Sequence, residues 1–210
     1  MRVSAPRVDA LALSLVCLLG PARVGHGPTA TIVLSGGCYW TMEAVFEHVR
    51  GVTSVVSGTA GRNADAKAYA RNPTGTLGLA EAVQVAYDPA RVSLAELLRV
   101  YFTVAHDPTQ VNRQGPDAGT RYRSVIWTSN DEQRVEALGI VAQLQGRGPG
   151  MGRVSTQIAL LDRFEPVVES EQDFAFKYPG HPYVLAWDRP KLERFRRDLP
   201  ELYRGRVGQR

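Results

Sequence analysis

A strand that runs directly into a glycine turn and then a helix constrains this chain more than any other stretch. Thr29 to Ser35 reads T-A-T-I-V-L-S, β-branched and apolar, which is the pattern of a buried strand, and it leads into Gly36-Gly37-Cys38-Tyr39-Trp40. Beyond Cys38, the residues Tyr39, Met42, Val45, Phe46 and Val49 recur at helical spacing, Glu43, Glu47 and Arg50 are expected to face away, and Gly51 is a suitable stop. Cys38 therefore stands at a helix N-terminus, where unpaired N–H groups and the positive dipole end lower a thiol pKa, and the glycines let a substrate approach closely. A lone cysteine is also commonly a small buried hydrophobe. The pentapeptide alone leaves both readings open.

Later elements alternate. Val52 to Ser57 and Glu81 to Tyr87 read as strands, the latter with Glu81, Val83, Val85 and Tyr87 on one face and Ala82, Gln84 and Ala86 on the other. Ser93 with Glu96 forms a capping box for a helix towards Val104, and a long loop, His106 to Thr120, follows. Tyr122 to Thr128 reads as a strand, Ser129 with Glu132 as the cap of a helix to about Gln145, and Val154 to Leu161 as a further strand after the Gly-rich stretch Gly146 to Gly152. Helices broken by Pro179, Pro182, Pro190 and Pro200 close the chain. Hairpin-length links and late helices favour an α+β fold, a two-layer mixed-sheet sandwich with a helical C-terminal part, over a doubly wound sheet.

Composition narrows the class. The 210 residues, 44% hydrophobic and 22% charged, suit one substantial core. Half of the formal charge of +4 lies in residues 1–27, where Arg2, Arg7 and Arg23 stand against Asp9. The arginines Arg194, Arg196, Arg197, Arg204, Arg206 and Arg210 have no aromatic interleaving, so a solvated face and tail is expected, with no nucleic-acid partner. Residues 1–27 resemble a secretory signal, with the apolar run Ala10 to Gly20 too short to span a bilayer, which implies a periplasmic or secreted protein if cleaved and a cytoplasmic one otherwise. The division expected is 1–27 leader, 28–204 catalytic domain and 205–210 basic tail. Of the two cysteines, Cys17 lies in the leader and Cys38 in the core, and no Cys/His spacing indicates a metal site.

Four blocks in one order carry a family resemblance: Gly37-Cys38-Tyr39-Trp40; Gly78-Leu79-Ala80-Glu81 through Tyr87-Asp88-Pro89; His106-Asp107-Pro108-Thr109 with Asn112-Arg113-Gln114-Gly115 and Asp117; and Gly119-Thr120 with Tyr122-Arg123-Ser124. From Thr29 to about Tyr203 the chain resembles the A-type peptide-methionine sulfoxide reductases, which reduce the S epimer of methionine sulfoxide. The resemblance implies Cys38 as nucleophile, Glu81 as acid, Tyr69, Tyr122 and Asp117 lining the pocket, and Tyr39 and Trp40 enclosing the S-methyl group of a free or protein-bound substrate. It also implies the fold of that family, a monomer, no bound cofactor or metal, and repair of oxidised proteins.

The chemistry asks for these residue types. A sulfoxide sulfur becomes electrophilic as its oxygen is protonated, so thiolate attack needs an acid and donors aimed at that oxygen. Glu81, in a run of Ala and Val, is expected to be kept neutral by desolvation, and the phenols of Tyr69 and Tyr122 can donate without charge. The product is methionine, with Cys38 left as a sulfenic acid. Arg204 to Arg210 carry no cysteine, so recycling is expected from an external thiol reductant, thioredoxin or a small thiol. Departures from the family pattern are Leu79 for the usual histidine, Thr59 and Arg62 in the Y-x-G-G turn, and Val167-Val168 with Ser170-Glu171-Gln172 in a segment that borders the substrate cleft in relatives. Two alternatives are a degenerate relative that binds thioethers or partners without turnover, and a sulfenate-forming redox sensor. His106 and His181 invite a cysteine-histidine hydrolase reading, but each stands in a proline-bearing loop where a structural role is the commoner one.

Overall fold

The computed structural model describes residues 29–62, 78–145 and 152–205; the leader, Tyr69 and most of the Gly-rich stretch lie outside them. Six strands form one sheet: β1 (Ala30–Ser35), β2 (Val52–Ala60), β3 (Ala80–Tyr87), β6 (Val125–Thr128), β7 (Gln157–Leu160) and β8 (Phe164–Pro166), in the order β7-β6-β1-β3-β2-β8. All neighbours are antiparallel except β6 and β7, which makes the sheet mixed. β4 (Arg113–Gln114) and β5 (Asp117–Ala118) form a small ribbon within the long loop. The helices are α1 (Tyr39–Glu47), α2 (Leu94–Val100), α3 (Asp131–Gln145), the single turn α4 (Phe174–Lys177) and α5 (Arg189–Asp198). The α+β sandwich with C-terminal helices is therefore the fold that forms. Among the described residues no helix is long and apolar enough to cross a membrane.

Strand alternation decides what faces what. In β1, Ile32 and Leu34 enter the main core with Met42, Val45 and Phe46 of α1 and Leu97 and Leu98 of α2. Val33 points the other way, into a smaller cluster with Ala82, Val125 and Trp127. In β3 the same period of two sends Val83, Val85 and Tyr87 to the helix-covered face. Glu81 shares their parity and so looks towards α1. Leu79, the departure from the family histidine, is fully buried in the main core.

Five local expectations are corrected. Glu43 and Glu47 do not face solvent; both are buried, because α4 and the C-terminal segments return to cover that side of α1. Burial pushes the Glu43 carboxyl up to about 8, against the pull of the Asp173 backbone N–H. The α3 cap lies one residue later than expected, since Asn130 Oδ1 accepts from Gln133 N–H at 2.9 Å, while Gln133 Oε1 accepts from Ser129 N–H at 2.9 Å. β6 begins at Val125 because Thr120–Tyr122 form a 3₁₀ turn, and β7 is confined to Gln157–Leu160 by its pairing with β6. Arg194 and Arg204 of the basic cluster donate to the Val104 and Val52 carbonyls, so they tie the C-terminal segment down. The Ser93–Glu96 capping box forms on both sides, and α2 runs on as a π-helical turn over Tyr101–Ala105.

One glycine sets the join between β2 and β8. A methyl group on Gly58 would sit 2.4 Å from Phe164 Cζ and 2.5 Å from the Glu165 carbonyl oxygen. The carbonyl belongs to a paired strand and cannot yield. Gly58→Ala is expected to destabilise the fold by about 2–3 kcal/mol, read as a lower urea midpoint with an unchanged slope.

Candidate active site

The turn at Gly37 places Cys38. Gly37 has φ +104°, and a Cβ there would lie 2.8 Å from Gln114 Cβ, so only glycine admits the approach. Gln114 staples the long loop to this point: its Nε2 donates to the Asp107 carbonyl at 2.7 Å and its Oε1 accepts from Asp107 N–H at 2.9 Å. Cys38 is the residue before α1, in extended conformation, 8% exposed, with its carbonyl accepting from Met42 N–H at 3.2 Å.

Glu81, 5% exposed, reaches Cys38 from β3. Its Oε2 accepts from Tyr39 N–H at 3.1 Å, one residue past the cysteine, and Arg121 Nε lies 3.8 Å from its Oε1. The 3₁₀ turn brings Tyr122 in behind Arg121, whose Nη2 donates to the Tyr122 hydroxyl at 2.5 Å. That hydroxyl is left with its own proton to give. Burial and the Glu81 charge push the Tyr122 phenol up to about 12, so it stays protonated at neutral pH. Arg123 anchors the turn to the start of β3 by donating to the Leu79 carbonyl at 3.0 Å and the Gly78 carbonyl at 2.9 Å. Asp117 enters from β5, with Oδ2 accepting from the Tyr183 hydroxyl at 2.6 Å.

The thiol is not acidified as its helix position predicts. Burial raises the Cys38 pKa well above the ordinary value, and the charge of Glu81 raises it further, with smaller pushes from Asp117 and Asp188. The Trp40 backbone N–H pulls the other way and is outweighed. A helix N-terminus offers partial charge only, whereas desolvation acts on the full charge of a thiolate.

Trp40 stacks on Phe174 with ring centroids 3.6 Å apart and stands edge-on to Tyr39, His181 and Tyr183. Its Nε1 donates to Glu171 Oε2 at 3.0 Å, and the Tyr39 hydroxyl donates to the same oxygen at 3.4 Å. The altered segment is locked to β2 by Gln172, which accepts from Ser57 N–H and donates to the Ser57 carbonyl, both at 2.8 Å. His106 is structural: Nδ1 lies 2.9 Å from the Tyr101 carbonyl, and burial drives its pKa down to about 3, so it is neutral.

The fold thus brings Cys38, Glu81, Asp117, Tyr122, Tyr39 and Trp40 to one place; Tyr69 lies outside the described residues. Sequence reading missed Arg121, Tyr183 and Asp188, and reached Glu171 only as part of the altered segment bordering the cleft. Arg121 had a signal, as a cation next to a singled-out tyrosine. Asp188, ahead of Arg189-Pro190, has the form of a helix cap but caps nothing: its Oδ1 accepts from Thr41 Oγ1 at 2.5 Å. Among the described residues no group of three His, Cys, Asp or Glu could hold a metal ion.

A buried cysteine at a helix start, ringed by carboxyls and a donor phenol on a mixed α+β sheet, defines a thiol-based oxidoreductase class. A family profile described as peptide methionine sulfoxide reductase matches residues 30–202. The chain belongs to that family. It is 44% identical over 183 residues to the peptide methionine sulfoxide reductase MsrA 2 of Synechocystis sp., covering 87% of this chain and 86% of the relative. Among solved structures, reduced Mxr1 from Saccharomyces cerevisiae is similar with a TM-score of 0.65 at 28% identity, covering 73% of this chain and 87% of that one. Methionine sulfoxide reductase A of Corynebacterium diphtheriae is similar with a TM-score of 0.63 at 33% identity, covering 74% and 77%.

Proposed function

We propose that this protein reduces the S epimer of methionine sulfoxide, peptide-bound or free, to methionine, with Cys38 as the nucleophile and Glu81 as the acid. The observation that carries this reading is the hydrogen bond from Tyr39 N–H to Glu81, which holds a buried carboxyl at the helix start that presents the thiol. The Cys38 thiol gives its proton to the Glu81 carboxylate, and its sulfur bonds to the sulfoxide sulfur as Glu81, now neutral, passes that proton to the oxygen and the Tyr122 hydroxyl donates to it, with Asp117 and Tyr69 as further pocket residues. The hydroxyl so formed then moves from the substrate sulfur to the Cys38 sulfur as the new S–S bond breaks, so that the electron pair of that bond stays on methionine and Cys38 is left as sulfenic acid. Tyr39 and Trp40 enclose the S-methyl group, where apolar burial and sulfur–aromatic contact favour binding. An external dithiol such as thioredoxin, or a small thiol, then condenses with the sulfenate, releasing water and forming a mixed disulfide that a second thiol resolves.

The test is chromatography of resolved sulfoxide epimers with dithiothreitol, paired with mass spectrometry of the Cys38 peptide after one equivalent of substrate without reductant. The expected result is loss of the S epimer alone and gain of one oxygen on Cys38. Equal consumption of both epimers, or none, overturns the activity; a disulfide between Cys38 and Cys17 overturns the one-thiol cycle.

A further inference from the structure

A cavity of about 380 Å³ opens beside Cys38; its walls include Cys38, Thr41, Asp117, Tyr183, Lys191 and Arg194 but not Glu81. Three carboxylates act on the thiol, from Glu81, Asp117 and Asp188, and each opposes ionisation. A nucleophile in that field needs a counter-charge. Arg121 stands on the Glu81 side with Tyr122. Arg194 donates its Nη2 to the Val104 carbonyl. Lys191 Nζ donates to the Ala105 carbonyl at 2.7 Å, and among the described residues it forms no ion pair within 4 Å. The charges of Asp188, Cys38 and Asp117 favour its ammonium, and the Arg194 guanidinium opposes it.

Asp188 is the second half of the arrangement. It is 1% exposed, with Oδ1 taken by Thr41 Oγ1 and Oδ2 buried without a hydrogen-bond partner. Such a carboxylate is costly unless a cation lies near. The other charged or titratable groups that face these two side chains are Arg194 from α5 itself, His181 and Tyr183 from the C-terminal loop, and His106 and Asp107 from the long loop.

We propose that Lys191 and Asp188 are positioning residues that set the reactivity of Cys38: the Lys191 ammonium stabilises the thiolate across the cavity, and the Asp188 carboxylate partly offsets that charge. The proposal rests on Cys38 being the nucleophile. Desolvation lowers Lys191 to about 8, so the ammonium is present at pH 7 and is lost as the pH rises beyond about 8. Its help to the thiolate must fade over the same range.

The experiment is iodoacetamide alkylation without substrate, followed on the Cys38 peptide by mass spectrometry so that Cys17 does not interfere. Lys191→Gln keeps a donor for the Ala105 carbonyl and removes the charge; Lys191→Arg keeps the charge. At pH 7 the Gln variant is expected to alkylate about tenfold more slowly than the parent, equivalent to about one pH unit in the thiol, and the Arg variant within about twofold. At pH 10 parent and Lys191→Gln are expected to converge. Asp188→Asn, with Lys191 in place, is expected to alkylate about threefold to tenfold faster at pH 7. Equal rates for the parent and Lys191→Gln at pH 7, or the same slowing at pH 7 and pH 10, overturn the proposal. If circular dichroism shows Lys191→Gln unfolded, Asp188→Asn decides: an unchanged or slower rate overturns it. Alkylation reads the thiol itself, so failure here leaves sulfoxide reduction standing, and a protein inert to sulfoxide can still show the shift.

Discussion

Cys38→Ser is expected to lose sulfoxide turnover by at least about a thousandfold in kcat/KM, while the folded protein keeps or slightly gains stability. The two halves have separate causes. A serine hydroxyl is a far weaker nucleophile than a thiolate at neutral pH, and no other cysteine lies in the described core to replace it. Structurally, however, Cys38 occupies the N-cap of α1 without making a side-chain cap bond, and serine is among the preferred N-cap residues. Thermal melting at or above the parent midpoint, together with sulfoxide loss at the uncatalysed rate, is the expected pair of measurements. A variant that melts lower and retains activity would assign Cys38 to packing and remove it from the chemistry.

Glu81→Gln is expected to move two observables in opposite directions. The amide can still accept from Tyr39 N–H, so the local geometry survives, but it cannot pass a proton to the sulfoxide oxygen, and kcat should fall by about a hundredfold to a thousandfold. The charge of Glu81 is, after burial, the largest influence raising the Cys38 pKa. Removing it lowers that pKa, so iodoacetamide should alkylate Cys38 faster at pH 7 than in the parent. Turnover falls while thiol reactivity rises. A parallel fall in both would mean that Glu81 acts by holding α1 in place, since a packing defect has no reason to make the thiol a better nucleophile.

Much of the site was legible because two short-range rules point to it. The run Thr29 to Ser35 ending in Gly36-Gly37 presents Cys38 at a helix start, and that is where α1 begins. The period-two pattern of Glu81, Val83, Val85 and Tyr87 puts the carboxyl on the face that the helices cover. Other features escaped for identifiable reasons. The frames Ser129–Glu132 and Asn130–Gln133 both satisfy a cap pattern one residue apart, and the backbone path selects the second. Glu43 and Glu47 look like a solvated helix face until α4, some 130 residues later, folds against them. Asp188 has the form of a cap because a proline follows two residues on, yet its partner is Thr41, 147 positions away.

By itself the sequence determined the local apparatus: a cysteine after a strand and a glycine turn, an acid on the buried face of β3, and the ordered blocks that mark the family. These depend on backbone conformational preference and on side-chain period, which act over a few residues. Only the tertiary structure decided the electrostatic character of the thiol. Helix position predicts a lowered pKa, whereas the closed fold strips water from Cys38 and gathers around it Glu81 from β3, Asp117 from β5 and Asp188 from the C-terminal part, with Lys191 lining the same cavity as the thiol. Desolvation and charge act through space, and the distances that set them exist only once the chain has folded.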